Sequence, residues 1–179
     1  MKVLQIWLGT DLPNSIRRNM ETVHAFTPDA DHYFIGRKST APVGYKVIDP
    51  DQEIEKTYKF LGNEFWWKRY CQNNCYLSDM LRLSWAIQHR DILYIDADVS
   101  FKNKPIIPNL EKPCLGMANN NMDFFMFWSG NPEWWQSLIE KARRYFPRKN
   151  TTCFVLLFNF VGREIGFPEK FDSSFFTRH

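Results

Sequence analysis

The chain has no apolar run long enough to cross a bilayer, no CxxC pair, no internal repeat and no excess of one charge. Its longest apolar runs, Phe124–Trp128 and Phe154–Phe158, fall far short of the roughly 18 residues a membrane helix needs. No transmembrane segment is expected. The stretch from Met1 to Gly9 carries one lysine and only a short apolar run before Asp11, too brief for the core of a secretory leader. A cytoplasmic protein is therefore expected. The four cysteines, Cys71, Cys75, Cys114 and Cys153, form neither a zinc pattern nor a disulfide framework, and free thiols in a reducing compartment are the expectation. Twenty-three Lys and Arg against 20 Asp and Glu give a net charge of +3, spread along the chain rather than gathered into a nucleic-acid footprint. Arg143, Arg144, Arg148 and Lys149 make one small basic cluster, which reads as a solvated helix end.

What is present is enough apolar material for a core. Hydrophobic residues are 44% of the 179, and sixteen phenylalanines, seven tryptophans and seven tyrosines supply large rings for packing or for stacking on a flat ligand. The length corresponds to a single domain over residues 1–179.

The pattern alternates. Lys2–Leu8 is a β-branched and aromatic run, and Leu12-Pro13-Asn14-Ser15 then opens a helix with Ile16, Met20, Val23 and Phe26 at helical spacing. Short strands follow at His32–Ile35 and Tyr45–Ile48. From Asp51 to His89 the spacing is helical, interrupted at Gly62-Asn63 and Asn73-Asn74. Asp91–Asp98 is an apolar strand ending in two carboxylates, of the kind found inside a mostly parallel sheet. Strand-like stretches at Cys114–Ala118 and Phe124–Trp128 precede a helix from Pro132 to Phe146. Thr151–Val161 is predicted as strand and Gly166–His179 as loop. Alternating β and α elements predict a three-layer α/β/α sandwich.

Carboxylates at the end of a strand in such a sheet stand at the edge where ligands bind. In an extended backbone Asp96 and Asp98 would point to one face and could converge on a hard divalent cation, Mn²⁺ or Mg²⁺, that leaves positions open for phosphate oxygens. Asp79 and Arg82, three apart on the preceding helix, are neighbours on one face. That spacing also describes an ordinary surface ion pair.

Taken in order, Gln5-Ile6-Trp7-Leu8-Gly9, Ser78-Asp79-Met80-Leu81-Arg82 and Tyr94-Ile95-Asp96-Ala97-Asp98 resemble the three signatures of GT-A-fold glycosyltransferases with a DXD motif. The likeness is to the family 32 sugar transferases and the clostridial glucosylating toxin domains, and it runs over about residues 1 to 146. It implies a minimal GT-A, Rossmann-like fold and metal-dependent transfer of a sugar from a nucleotide-diphosphate donor, UDP-linked by preference, to a glycan or glycoprotein acceptor, with retention of configuration. It also implies roles. Trp7 would stack on the base, with Leu8 and Gly9 beside it. Asp79 and Arg82 would hold the sugar and diphosphate side. Tyr94, Asp96 and Ala97 would line the donor site, and Asp98, with Asp96, would bind the metal. Asn119, Asn120 or Asn121 could bond sugar hydroxyls, Asn120 foremost, and His179 or Glu164 could complete the metal site. The chain departs from the family in having Arg90-Asp91 where Gly-Gly usually precedes the DXD strand, in lacking a Thr-Gly-Pro element, and in its length.

Two other readings compete. An inert nucleotide-sugar-binding module would keep the shape without turnover. Ile95-Asp96-Ala97-Asp98-Val99 also resembles the nucleophile motif of haloacid-dehalogenase-like phosphatases, although that family carries it on its first strand.

Overall fold

The computed structural model describes residues 1–61, 73–118, 121–145 and 169–179. Strand β1 (Lys2–Trp7) buries Val3, Leu4, Gln5 and Ile6 in succession, the pattern of a strand covered on both faces. It pairs in parallel with β2 (Asp31–Gly36) and, on its other side, with β4 (Ile92–Ile95); β3 (Lys46–Ile48) pairs in parallel with β2. Beyond β4 the direction changes. β7 (Asn121–Trp128) runs antiparallel to β4 and to β6 (Cys114–Ala118), and β8 (Glu169–Lys170) closes the edge in parallel with β6. The result is a seven-stranded sheet in the order β3-β2-β1-β4-β7-β6-β8. A separate antiparallel pair joins β5 (Val99–Phe101) to β9 (Phe176–Arg178).

Helices and tail cover both faces, giving the expected three layers. On one side α2 (Pro50–Leu61), α3 (Asn74–Gln88) and α4 (Pro132–Tyr145) pack together over Leu4, Ile6, Tyr94, Leu115 and Phe127. On the other, Val23 of α1 (Asn14–Phe26) and the rings of Phe171, Phe175 and Phe176 cover Val3, Leu93, Ile95 and Phe125. Strand alternation sorts β4 between the two cores: Ile92 and Tyr94 face α3, Leu93 and Ile95 face the tail. The helix starts use local chemistry. Pro50 opens α2, with Gln52 N–H donating to the Asp49 carboxylate, and Asn73 caps α3 by accepting from Tyr76 N–H at 3.0 Å. Gly130 (φ +55°) brings its backbone so close to Lys112 that a Cβ would sit 2.4 Å from that residue's carbonyl carbon.

Two expectations need correction. The strand leading to Asp96 stops at Ile95, and Asp96-Ala97-Asp98 form a turn closed by Val99 N–H donating to Asp96 C=O at 3.1 Å. The two carboxylates therefore do not share a face through extended backbone. The segment from 169 to the end is not loop: Phe176–Arg178 pairs with Val99–Phe101 because Phe175 and Phe176 bury their rings against Phe101 and Phe125. The predicted strand Thr151–Val161 lies outside the described residues. Among those residues no helix is long and apolar enough to cross a membrane.

Candidate nucleotide and metal site

The chain leaves β1 towards β2 and β3 on one side and returns to β4 on the other, so the order of strands reverses at β1. Beyond the carboxyl ends of two such strands lies the crevice where open α/β sheets bind ligands. A cavity of about 370 Å³ sits there, within the size range of small-molecule and cofactor sites. Its walls are Trp7, Leu8 and Gly9 from the end of β1, Asn74, Cys75 and Ser78 from the first turns of α3, and Tyr94, Asp96, Ala97 and Asp98. Three of the sequence signatures meet in one place.

Each wall has a reason for its shape. The Trp7 indole lies across Gly9, where a Cβ would come within 2.8 Å of its Nε1, and that N–H donates to Asp11 C=O at 2.7 Å. The ring also packs on the small core of Leu12, Met20, Phe34, Tyr45 and Ala97, so Trp7 serves the core and the cavity at once. Asn74 Nδ2 donates to Leu8 C=O at 3.3 Å, tying the start of α3 to the end of β1. That helix N-terminus carries partial positive charge towards the cavity, an environment suited to an anion.

Asp96 is braced from behind. Its Oδ1 accepts from Arg82 Nη1 at 3.0 Å and from the Tyr94 hydroxyl at 2.5 Å, and its own N–H donates to Phe125 C=O at 2.5 Å. Arg82 also pairs with Asp79 through Nη2 and lies 5.1 Å over the Tyr94 ring. Asp79 and Arg82 are 7% and 8% exposed, so this is a buried cluster rather than a surface pair. Neither lines the cavity; they fix Asp96, which does. Burial pushes the Asp96 carboxyl above the ordinary carboxylate range, against the pull of Arg82 and the Tyr94 hydrogen bond. Burial, reinforced by the Asp96 charge, likewise drives the Tyr94 phenol well above its usual value.

Asp98 is held differently. Its Oδ2 accepts from Arg178 Nε at 3.2 Å, and its backbone C=O accepts from His179 N–H at 3.0 Å. Its Oδ1 is buried and has no hydrogen-bond partner among the described residues. Arg178 Nη2 stands 3.8 Å from Asp96 Oδ2, so one guanidinium faces both carboxylates. The His179 ring turns to Ser100 Oγ at 2.8 Å. Among the described residues no three His, Cys, Asp or Glu side chains gather as a metal cluster, and the expected third ligand from His179 is not assembled here. Two carboxylates do suit Mn²⁺ or Mg²⁺, which fill their remaining positions with waters and substrate phosphates. The orphaned Asp98 oxygen fits that role.

Asn119, Asn120 and Glu164 lie outside the described residues, as do Cys71, Cys153, Arg148 and Lys149; Asn121 opens β7. Sequence reasoning missed Arg178. Its neighbour His179 drew attention as a metal-ligand type, yet adjacent residues of a strand face opposite ways, and without the β5–β9 register nothing showed which one met the carboxylates.

The mixed sheet with helices on both faces has the GT-A type of fold, as the solved structures it resembles do. No protein-family model and no curated protein matches the sequence. Solved structures do. The chain resembles the PaToxG glycosyltransferase, at 13% identity over 92% of this chain and 68% of that one, with a TM-score of 0.63. It is also similar to a transferase carrying two cysteine-to-serine substitutions, at 7% identity over 98% and 93%, TM-score 0.56. Mouse xyloside xylosyltransferase 1 in its apo form matches at 11% identity over 91% and 81%, TM-score 0.53. At these identities the likeness is one of fold.

Proposed function

We propose that the protein is a glycosyltransferase that moves a sugar from a nucleotide-diphosphate donor, UDP-linked by preference, to a glycan or protein acceptor, with Mn²⁺ or Mg²⁺ held by Asp96 and Asp98. The observation that carries this reading is the buried, unpartnered Oδ1 of Asp98, a residue that lines the same cavity as Trp7. An indole can stack on a nucleobase, and the α3 N-terminus, which lines the same cavity, favours phosphates. The glycosyl bond would break through an oxocarbenium-like state as negative charge builds on the departing diphosphate. When bound, the cation would offset that charge as a Lewis acid. Arg82 acts at one remove, holding Asp96 in position and sharing its charge.

The phosphatase reading asks Asp96 to act as a nucleophile. Its Oδ1 is already shared between Arg82 and Tyr94, and its Oδ2 faces Arg178, which argues against that role. The inert-module reading is decided by turnover.

The test is a panel of nucleotide sugars screened for thermal stabilisation with Mn²⁺ and with EDTA. A ligand that binds only the folded state raises its melting temperature by mass action. We expect one UDP-sugar to raise Tm by several degrees in Mn²⁺ alone and then to release UDP on longer incubation. Equal stabilisation in EDTA would remove the metal from the proposal, and binding without UDP release would favour the inert module.

A further inference from the structure

The proposed metal site is occupied from within the chain. Two carboxylates at a tight turn repel each other, and in this structure the cation facing both is the Arg178 guanidinium, 3.2 Å from Asp98 Oδ2 and 3.8 Å from Asp96 Oδ2. Its placement is built. β9 pairs with β5 in a register that sets Arg178 opposite Val99, directly after Asp98 in sequence. The rings of Phe175 and Phe176 anchor that strand in the core, and Arg178 rests 5.2 Å over the Phe125 ring.

We propose that Arg178 is a resident counter-cation that holds the place of the divalent metal, and that metal and guanidinium exclude one another at Asp98. This rests on the metal reading above. A divalent ion on Asp98 Oδ1 would stand beside the guanidinium on Oδ2 of the same carboxylate, and repulsion between the two cations opposes holding both. The exchange is feasible because the Arg178 and Asp98 side chains are 35% and 32% exposed, where an ion pair is weak and screened. It needs only a side-chain movement. The backbone of β9 stays pinned by its strand pairs and by His179 N–H on Asp98 C=O. Arg178 thereby lowers the affinity for metal and keeps the carboxylates from drifting apart in its absence.

The experiment titrates Mn²⁺ alone into the full chain, reading free Mn²⁺ by electron paramagnetic resonance, for wild type, Arg178→Gln, Arg178→Lys and Ser100→Ala. Arg178→Gln should bind Mn²⁺ about threefold to tenfold more tightly than wild type, the range a weak competing ion pair allows. Arg178→Lys, which keeps the charge but loses the fork, should fall between them. Ser100→Ala removes the His179 ring contact and loosens the same tail without touching either carboxylate, so its affinity should equal that of wild type. Unchanged or weaker binding by a folded Arg178→Gln overturns the proposal while leaving the metal site standing. An equal gain in Ser100→Ala overturns it too, because loosening the tail would then be the cause. If neither wild type nor Arg178→Gln binds Mn²⁺, the metal reading fails and the proposal with it.

Discussion

Asp96 and Asp98 are two residues apart, carry the same charge and border the same cavity, yet they are held in opposite ways. Asp96 is wired into a buried cluster of Arg82, Asp79 and Tyr94, with hydrogen bonds from side and main chain. Asp98 keeps a partly exposed ion pair to the tail and one oxygen with no partner. The difference follows from the turn that ends β4. Tyr94 and Asp96 meet Arg82 of α3, whereas Asp98 meets Arg178 of β9. Asp96 has Oδ1 satisfied and its carboxylate fixed, leaving Oδ2 for a ligand, whereas Asp98 has a buried oxygen with no partner at all. Stability and binding should therefore separate between the two positions.

Breaking that comparison at its strongest point gives the largest effect. Arg82→Met leaves Asp79 buried without its cation and takes the nearest cation from the partly buried Asp96, and removing one partner of a buried ion pair costs about 3–5 kcal/mol. We expect a loss of at least about 3 kcal/mol in urea unfolding. Asp98→Asn should change stability by no more than about 0.5 kcal/mol, since it loses a half-exposed pair of little worth. In calorimetry with UDP and Mn²⁺ the same Asp98→Asn protein should lose metal-dependent binding. If Asp98→Asn proved as destabilising as Arg82→Met, the contrast between a rigidly braced carboxylate and a loosely held one would not hold.

Trp7→Ala sharpens the comparison from across the cavity, with an intermediate effect. If the ring stacks on the base, nucleotide affinity should fall by about 1–3 kcal/mol. Because the same ring packs on Leu12, Met20 and Phe34, stability should fall as well. Trp7→Phe, which keeps an aromatic face, should restore most of the binding. A stability loss with unchanged UDP affinity, measured by calorimetry on the folded protein, would assign Trp7 to the core alone.

The legible part of the molecule was the parallel half. From β1 to β4 the strands and helices announced themselves by periodicity, by the break at Asn73-Asn74 that proved to be the start of α3, and by the unbroken apolar run of β4, since both of its faces are covered. That Trp7, Asp96 and Asp98 would border one crevice was legible for the same reason: they stand at or just past strand ends, and position there is set by local pattern. Asp79 and Arg82 were legible only as a pair. Spacing put them on one helix face, but it could not say whether that face met solvent or Asp96. The antiparallel half hid more. β9 is three residues long, and its identity as a strand comes from pairing with β5 about 77 positions earlier, a contact that no local window contains. Arg178 became visible only with that register.

The smallest predicted effect tests how Asp96 is held. Burial raises its folded-state carboxyl above the ordinary value of 3.8, despite Arg82 and Tyr94. The folded protein then keeps this proton at a pH where the unfolded chain has released it. With more protons bound in the native state, stability falls as pH rises from about 4 through the raised value, and is level above it. Asp96→Asn cannot titrate, so its stability relative to wild type should improve as pH rises across that window, whatever constant offset the lost charge imposes. Urea unfolding of both proteins from about pH 4 to pH 7 measures that slope against a shared background. An opposite slope would mean that Arg82 outweighs burial and that the brace favours the ionised carboxylate. Asp96 would then resemble an ordinary salt-bridged aspartate, and its contrast with Asp98 would rest on geometry alone.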